Sequence, residues 1–87
     1  MNVKEVQKLF NNLSVTTEKE KEEAKIDFMG LIVDRLGELK AYSKCDDIIG
    51  LKEAKMIAFA EIIGSVMNIA NIYDIDVEEA LNYFKGC

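Results

Sequence analysis

The sequence predicts an all-α fold with two long and two short helices. Apolar residues recur at spacings of three and four, no segment alternates apolar and polar residues as a half-buried strand does, and helix-capping patterns precede the helical segments. A chain of 87 residues suits one small domain, residues 1–87. The predicted helices cover approximately Val3–Leu13, Thr17–Ser43, Ile48–Tyr73 and Val77–Phe84.

Polar residues that can act as caps stand at the predicted helix starts. In a capping box, the side chain of Ser, Thr, Asp or Asn accepts a hydrogen bond from the backbone N–H three residues later, where a glutamate stands. Three pairs fit this pattern: Asn2 with Glu5, Thr17 with Glu20, and Asp76 with Glu79. For the helix that starts near Ile48, we expect Asp46 or Asp47 to be the cap.

The segment Ile48–Tyr73 is predicted to be the central helix, because it is apolar on most of its circumference. A helix of this kind is buried by neighbours on several sides. One narrow polar line interrupts it at helical spacing: Glu61, Gly64, Ser65, Asn68 and Asn71. Since an acid within such a helix needs a partner, Glu61 is a candidate functional residue.

The second predicted helix carries an apolar arc that is too wide for one neighbour. Its seam and flanks are Met29, Ile32, Leu36 and Leu39, with Ile26 and Val33 on one side and Phe28, Leu31 and Tyr42 on the other. Two long helices with a short connection form an antiparallel hairpin, and two hairpins related by a twofold axis form a four-helix bundle. We therefore expect a homodimer. The alternative is a compact monomer whose short helices cover the hairpin.

Composition limits the functions that this chain can have. Hydrophobic residues make up 49% of a 9.8 kDa chain, more than a small monomer easily buries. The net charge of −5 argues against binding to nucleic acid or to an anionic membrane. The sequence has no histidine, which excludes histidine bases and ligands. Any chemistry must come from carboxylates, with a hard cation such as Mg²⁺ held by oxygen ligands.

The sequence also predicts a cytoplasmic location. Met1–Leu13 lacks the continuous apolar core of a signal peptide. Cys45 and Cys87 have no metal-ligand spacing and are predicted to be free thiols in a reducing cytosol. We expect no membrane span, because four charged residues interrupt the apolar stretch: Lys52, Glu53, Lys55 and Glu61.

Three carboxylates can meet across the predicted hairpin, namely Asp34 and Glu38 on one helix and Glu61 on the other. Glu38 and Glu61 lie at unequal distances from the connection, which leaves a mismatch of about 7 Å along the helices. Adjacent carboxylates repel unless a cation compensates them, and Mg²⁺ would fill that role. The alternative is that these acids lie on solvated faces or pair with Arg35 or a lysine.

Two segments resemble a known family. Leu31-Ile-Val-Asp-Arg-Leu-Gly-Glu-Leu-Lys-Ala41 is similar to the first metal-binding helix of the MazG-like all-α nucleotide pyrophosphohydrolases, which show Glu-Glu-x-Gly-Glu-Leu there. Val66-Met-Asn-Ile-Ala-Asn-Ile-Tyr-Asp-Ile-Asp-Val-Glu-Glu-Ala-Leu81 is similar to a later segment, in which an apolar helix leads into Ile-Asp-x-Glu-Glu-Ala-Leu. Together these segments cover most of Leu31–Leu81.

The resemblance implies a helical bundle, often a dimer or higher oligomer, that binds Mg²⁺ through four acids. These come from a Glu-x-x-Glu on the first long helix and a Glu-x-x-Asp on the second. Glu38 matches the second acid of the first pair, Asp34 matches the acid before that pair, and Glu61 matches the final Asp. Arg35 and Ala58 replace the other two acids. Loss of two oxygen ligands and gain of a cation should weaken or remove Mg²⁺ binding.

Two functions follow. The first is a divergent nucleoside triphosphate pyrophosphohydrolase, in which water attacks the α-phosphorus and pyrophosphate leaves. Glu38 and Glu61 would then hold Mg²⁺, and Asp34 would be a ligand or would orient the water. The second is a non-catalytic dimeric module for protein interaction or regulation. Arg35 contacts phosphate in the first case, and pairs with Glu38 or Glu61 in the second. The expected partners are a second copy of the chain and either a nucleotide or a protein.

Overall fold

A computed structural model describes residues 1–11, 16–44 and 50–86 of the chain. Within these ranges all regular structure is helical: α1 (Val3–Leu9), α2 (Glu18–Tyr42), α3 (Leu51–Tyr73) and α4 (Val77–Leu81), followed by a 3₁₀ turn (Asn82–Phe84). The predicted all-α fold with two long and two short helices is confirmed. Some predictions fall on residues outside the described ranges: Leu13, Cys45, Asp46, Asp47, Ile48 and Cys87.

Local side-chain chemistry explains where the helices begin. In each of the three predicted caps, the cap side chain accepts hydrogen bonds from backbone N–H groups. Asn2 accepts from Glu5 (2.9 Å), Thr17 from Glu20 (3.1 Å), and Asp76 from Glu78 and Glu79 (2.9 and 3.4 Å). Helix α3 starts without a side-chain cap. It follows Gly50, whose φ of 95° is in the left-handed region that favours glycine. Each helix start within the described residues therefore has a local cause.

The two long helices form an antiparallel hairpin. Arg35 of α2 bonds to Glu61 of α3, and Lys25, ten residues earlier on α2, lies 4.5 Å from the centre of the ring of Tyr73, twelve residues later on α3. Because the second contact lies earlier on α2 and later on α3 than the first, the two helices must run antiparallel. Residues whose numbers sum to about 97 therefore lie side by side.

Helix α1 covers one side of this hairpin. The Phe10 ring, just after α1, packs on Gly64, where an added Cβ would lie 2.9 Å from a ring atom. Gln7 reaches the end of α3 and the start of α4 through three hydrogen bonds: to the Asn71 side chain (2.9 Å), to the Ile75 carbonyl (2.7 Å) and from the Val77 N–H (2.9 Å). We call this side, which carries Phe10 on Gly64, the covered face.

The opposite side of the hairpin exposes a large apolar surface, which we call the open face. It consists of Ile26, Met29, Val33 and Leu36 on α2 and Met56, Phe59, Ile63 and Val66 on α3. The most buried described residues all belong to α3: Ala58, Gly64, Ser65, Met67 and Ala70. The predicted α2 seam is therefore split. Ile32 and Leu39 are half-buried, but Met29 and Leu36 are exposed because they lie on the open face.

The last helix packs less than the sequence predicted. Val77 is half-buried, but Ala80, Leu81 and Phe84 are exposed, and Phe84 retains 80% of its accessible surface. The physical reason is that α4 has only five residues and is attached through the Val77 N–H at its first turn. The predicted packing of Ala80, Leu81 and Phe84 is wrong for the isolated chain.

Helix α3 is long and apolar enough to cross a membrane, judged by length and composition alone. Three of the four charges expected to prevent this, Lys52, Glu53 and Lys55, lie in its first two turns. The 18 residues that follow, Met56–Tyr73, contain a single charged residue, Glu61. The core helix of a soluble protein passes the same test, so the cytoplasmic location stays a prediction.

Candidate functional site: an arginine between two carboxylates

Three charged side chains meet where α2 and α3 face each other. The Arg35 Nε donates a hydrogen bond to the Glu61 Oε2, and its Nη1 donates one to the Glu38 Oε1 at 2.5 Å. Each of the three side chains is partly exposed. The guanidinium thus bridges a residue one turn away on its own helix and a residue on the neighbouring helix.

Helix geometry explains why Arg35, rather than Glu38, lies opposite Glu61. The hairpin register places residue 35 beside residue 61, whereas Glu38 is three residues further along α2, and three residues correspond to about 4.5 Å of helix. This offset has the direction of the axial mismatch expected between the two glutamates but is smaller than the expected value of about 7 Å. The long arginine side chain spans the gap because its fork presents several N–H donors.

The electrostatics keep the guanidinium charged. The hydrogen bond to Glu61 raises the pKa of Arg35 above its ordinary value, and the negative charges of Glu38 and Glu61 add to the effect. When folding raises the pKa of a cation, its stabilisation of the folded state is complete below the ordinary pKa. That stabilisation is lost only as the pH rises through the raised pKa. Arg35 is therefore a permanent cation between the two carboxylates at any pH near neutrality.

The structure brings together two of the three predicted site residues. Glu38 and Glu61 share Arg35, whereas Asp34 is exposed and lies outside this network. Ala58, at the position where the resemblance expects an acid, retains only 1% of its accessible surface. A carboxylate there would be buried between the long helices, so the alanine suits close packing rather than ion binding.

The arrangement does not fit a resident Mg²⁺. The ion requires a shell of oxygen ligands with octahedral geometry. Here Glu38 and Glu61 each already use an oxygen to accept a bond from a cation, and the guanidinium would repel a divalent ion beside it. The arginine between the two carboxylates offsets one of their two negative charges, which is part of the role that a metal cation would have.

A groove of about 350 Å³ opens beside Glu61 on the covered face. Phe10, Phe28 and Leu31 supply apolar walls, and the polar line of α3 supplies part of the lining through Gly64, Ser65 and Asn68. The polar line predicted from the sequence is therefore divided: Gly64 contacts Phe10, just after α1, whereas Glu61 bonds to Arg35 of α2. Its last member, Asn71, belongs to the Gln7 network instead.

The Gln7 network is the polar feature that the sequence did not reveal. Beyond the three side-chain bonds of Gln7, the Asn71 amide donates to the Gln7 carbonyl at 3.2 Å. A polar residue on an apolar helix stripe, between Val6 and Phe10, is the signal that could have indicated it. Because its bonds join α1, α3 and α4 to one another, we assign the network to stability.

Comparisons with known protein families, with curated protein sequences and with solved structures give no match. The similarity to MazG-like enzymes is therefore carried only by the segments Leu31–Ala41 and Val66–Leu81, and stays a proposal.

Proposed function

We propose that this chain is a divergent MazG-like helical domain that has lost metal-dependent nucleotide hydrolysis and acts as a dimeric protein-interaction module in the cytoplasm. The observation that carries the proposal is the bridge of Arg35 to Glu38 and Glu61. The resemblance places these two glutamates among the Mg²⁺ ligands. An arginine at the first acid position supplies internally the positive charge that a metal would otherwise provide.

The remaining site positions support the same interpretation. Asp34, the expected ligand or water-orienting residue, is exposed and does not join Glu38 and Glu61. The buried Ala58 replaces the fourth acid. Metal-assisted phosphoryl chemistry depends on a cation that can contact both the enzyme and the phosphates. Arg35 is already held by two protein carboxylates, so it is poorly available to phosphate.

A direct assay separates an inactive domain from a divergent hydrolase. The pure protein is incubated with a panel of nucleoside triphosphates and Mg²⁺ or Mn²⁺, and pyrophosphate release is measured together with the melting temperature. We expect no release above background and no metal-dependent rise in melting temperature. Metal-dependent release that Glu38→Gln and Glu61→Gln abolish would overturn the proposal, and Asp27→Asn, an exposed acid on α2, serves as the matched control.

The dimer is tested separately by light scattering over a range of protein concentrations. We expect a species of twice the 9.8 kDa chain mass. A particle of 9.8 kDa at every concentration would refute dimerisation without touching the conclusion about catalysis.

A further inference from the structure

The open face has the sequence pattern of a helix–helix seam. Residues 26, 29, 33 and 36 on α2, and 56, 59, 63 and 66 on α3, follow the alternating spacing of three and four that marks the apolar positions of a coiled coil. Since α2 and α3 are antiparallel, helical geometry places both stripes on the same side of the hairpin. Phe10 and α1 lie on the other side, against Gly64.

The accessible surface of the whole chain is large for its mass. The accessible surface is 6715 Å², whereas a folded monomer of 9.8 kDa exposes about 5,200 Å². The radius of gyration is 15.0 Å, compared with about 12 Å for a compact domain of 87 residues. Stable interfaces remove about 800 Å² from each partner. The excess of the whole chain is larger than the area that one partner loses in a standard interface.

We propose that a second copy of this chain docks on the open face, so that two hairpins stack into a four-helix bundle with the Arg35 networks outside its core. This inference rests on the dimer of the proposed function, but not on the loss of catalysis. The two stripes of each protomer fill the layer between the hairpins, as apolar residues do in antiparallel bundles. A twofold axis makes the contact self-complementary and closed.

The charges at the ends of the α2 stripe favour a second copy as the occupant. Continued by one step in each direction, the stripe begins at Glu22 and ends at Lys40. Both side chains are exposed, and Glu22 also pairs with Lys25 of its own helix at 2.7 Å. The spacing is symmetric about residue 31. A twofold axis that crosses α2 there places Glu22 opposite Lys40 of the partner subunit, and Ile26 opposite Leu36 of the partner subunit. If both ends of the stripe carried the same charge, this arrangement would bring like charges together and would be disfavoured.

Matched glutamate substitutions on α3 test the surface. Ile63 lies on the open face with 49% of its surface exposed, and Ile57 lies on the groove side of the same helix with 54% exposed. We expect Ile63→Glu to weaken the dimer about a hundredfold or more, because a charge would be buried in the interface. Ile57→Glu should leave the dimer unchanged. Both are measured by sedimentation or light scattering, with helicity checked by circular dichroism.

Charge reversal tests the orientation and does not require an apolar substitution. Glu22→Lys and Lys40→Glu should each weaken the dimer by roughly threefold to tenfold, because each places like charges at both ends of the α2 contact. The double variant should restore the wild-type affinity. Single variants that change nothing would overturn the antiparallel α2 arrangement. This test also decides the matter if Ile63→Glu fails to fold.

The outcomes separate this inference from the proposed function. A wild-type dimer that Ile57→Glu disrupts and Ile63→Glu does not would overturn the open face as the interface and keep the dimer. A monomeric wild-type chain would overturn both the interface and the dimer, and would leave the catalytic conclusion to the pyrophosphate assay.

Discussion

The covered and open faces of the hairpin differ in how their side chains are satisfied. On the covered face, Phe10 packs on Gly64, and Gln7 bonds to groups of α3 and α4. On the open face, large apolar side chains such as Phe59 and Val33 remain more than half exposed. The charged network of Arg35 joins the two long helices, and its Glu61 borders the groove on the covered face.

This difference separates folding from association. The contacts of Phe10 and Gln7 on the covered face form within one chain, so they should determine the stability of the protomer at any concentration. The open face gains little from folding, because its side chains stay in water unless another molecule covers them. Substitutions on the two faces should therefore be distinguishable by whether their effects depend on protein concentration.

The largest effect on the covered face is expected from Gln7→Ala. The change removes three side-chain hydrogen bonds that join α1 to α3 and α4, and we expect a loss of about 2 kcal/mol in the free energy of unfolding. Urea denaturation measures the loss, and hydrogen exchange at the Val77 N–H should become faster. Lys8→Ala, an exposed neighbour on α1, is the control. Equal stability of the two variants would contradict a stabilising role for the network.

Gly64→Val should destabilise the same face by about 1 kcal/mol, because the new side chain displaces the Phe10 ring. The ring can move, which limits the loss. Gly30→Ala is the matched control, since a Cβ at Gly30 meets no atom within 4 Å and the substitution removes a flexible residue from a helix. That control should stabilise the protein by about 0.5–1 kcal/mol. If both variants gained stability in urea denaturation, α1 would not be packed as described.

Arg35→Glu tests whether the arginine takes the place of a metal. Three neighbouring carboxylates would repel one another, so we expect a melting temperature several degrees below that of the wild type in a chelator. Mg²⁺ or Mn²⁺ should raise it again, because the variant has the oxygen ligands without the competing cation.

Arg35→Met is the matched control, because it removes the cation without adding an acid. It should also melt at a lower temperature than the wild type, but with a weaker response to metal. A wild-type protein whose melting temperature rises with Mg²⁺ as much as that of the glutamate variant would show that Arg35 does not exclude the ion.

The sequence predicted the features that depend on near neighbours. Thr17 and Asp76 were identified as caps because their partners lie two or three residues away. The pairing of Arg35 with Glu38 is similarly local, and its pairing with Glu61 was one of the alternatives that the hairpin left open. Helix type and the acid-rich positions therefore followed from spacing and side-chain chemistry.

The features that were missed depend on how distant segments pack. Gln7 and Asn71 are 64 residues apart, and neither residue type indicates a partner at that distance. The apolar arc of α2 was visible, but the division into half-buried Leu39 and exposed Leu36 depends on which face α1 covers. The packing of the short α4 was predicted wrongly, because its capping signal indicates where a helix starts and does not determine which of its residues are buried.

The smallest effect on the isolated protomer is expected from Leu36→Ser on the open face. Leu36 is 53% exposed, so in dilute protein the free energy of unfolding should change by no more than about 0.5 kcal/mol. Leu39→Ser, three residues later and half-buried, is the control and should lower stability at every concentration. If a second copy covers the open face, the Leu36 variant should lose stability relative to the wild type as the concentration rises, because only the wild type gains from association. Denaturation curves of the three proteins across a wide concentration range measure this difference. A constant gap between Leu36→Ser and wild type would mean that Leu36 is buried within the protomer or stays in water, and in either case the two faces would not divide folding from association.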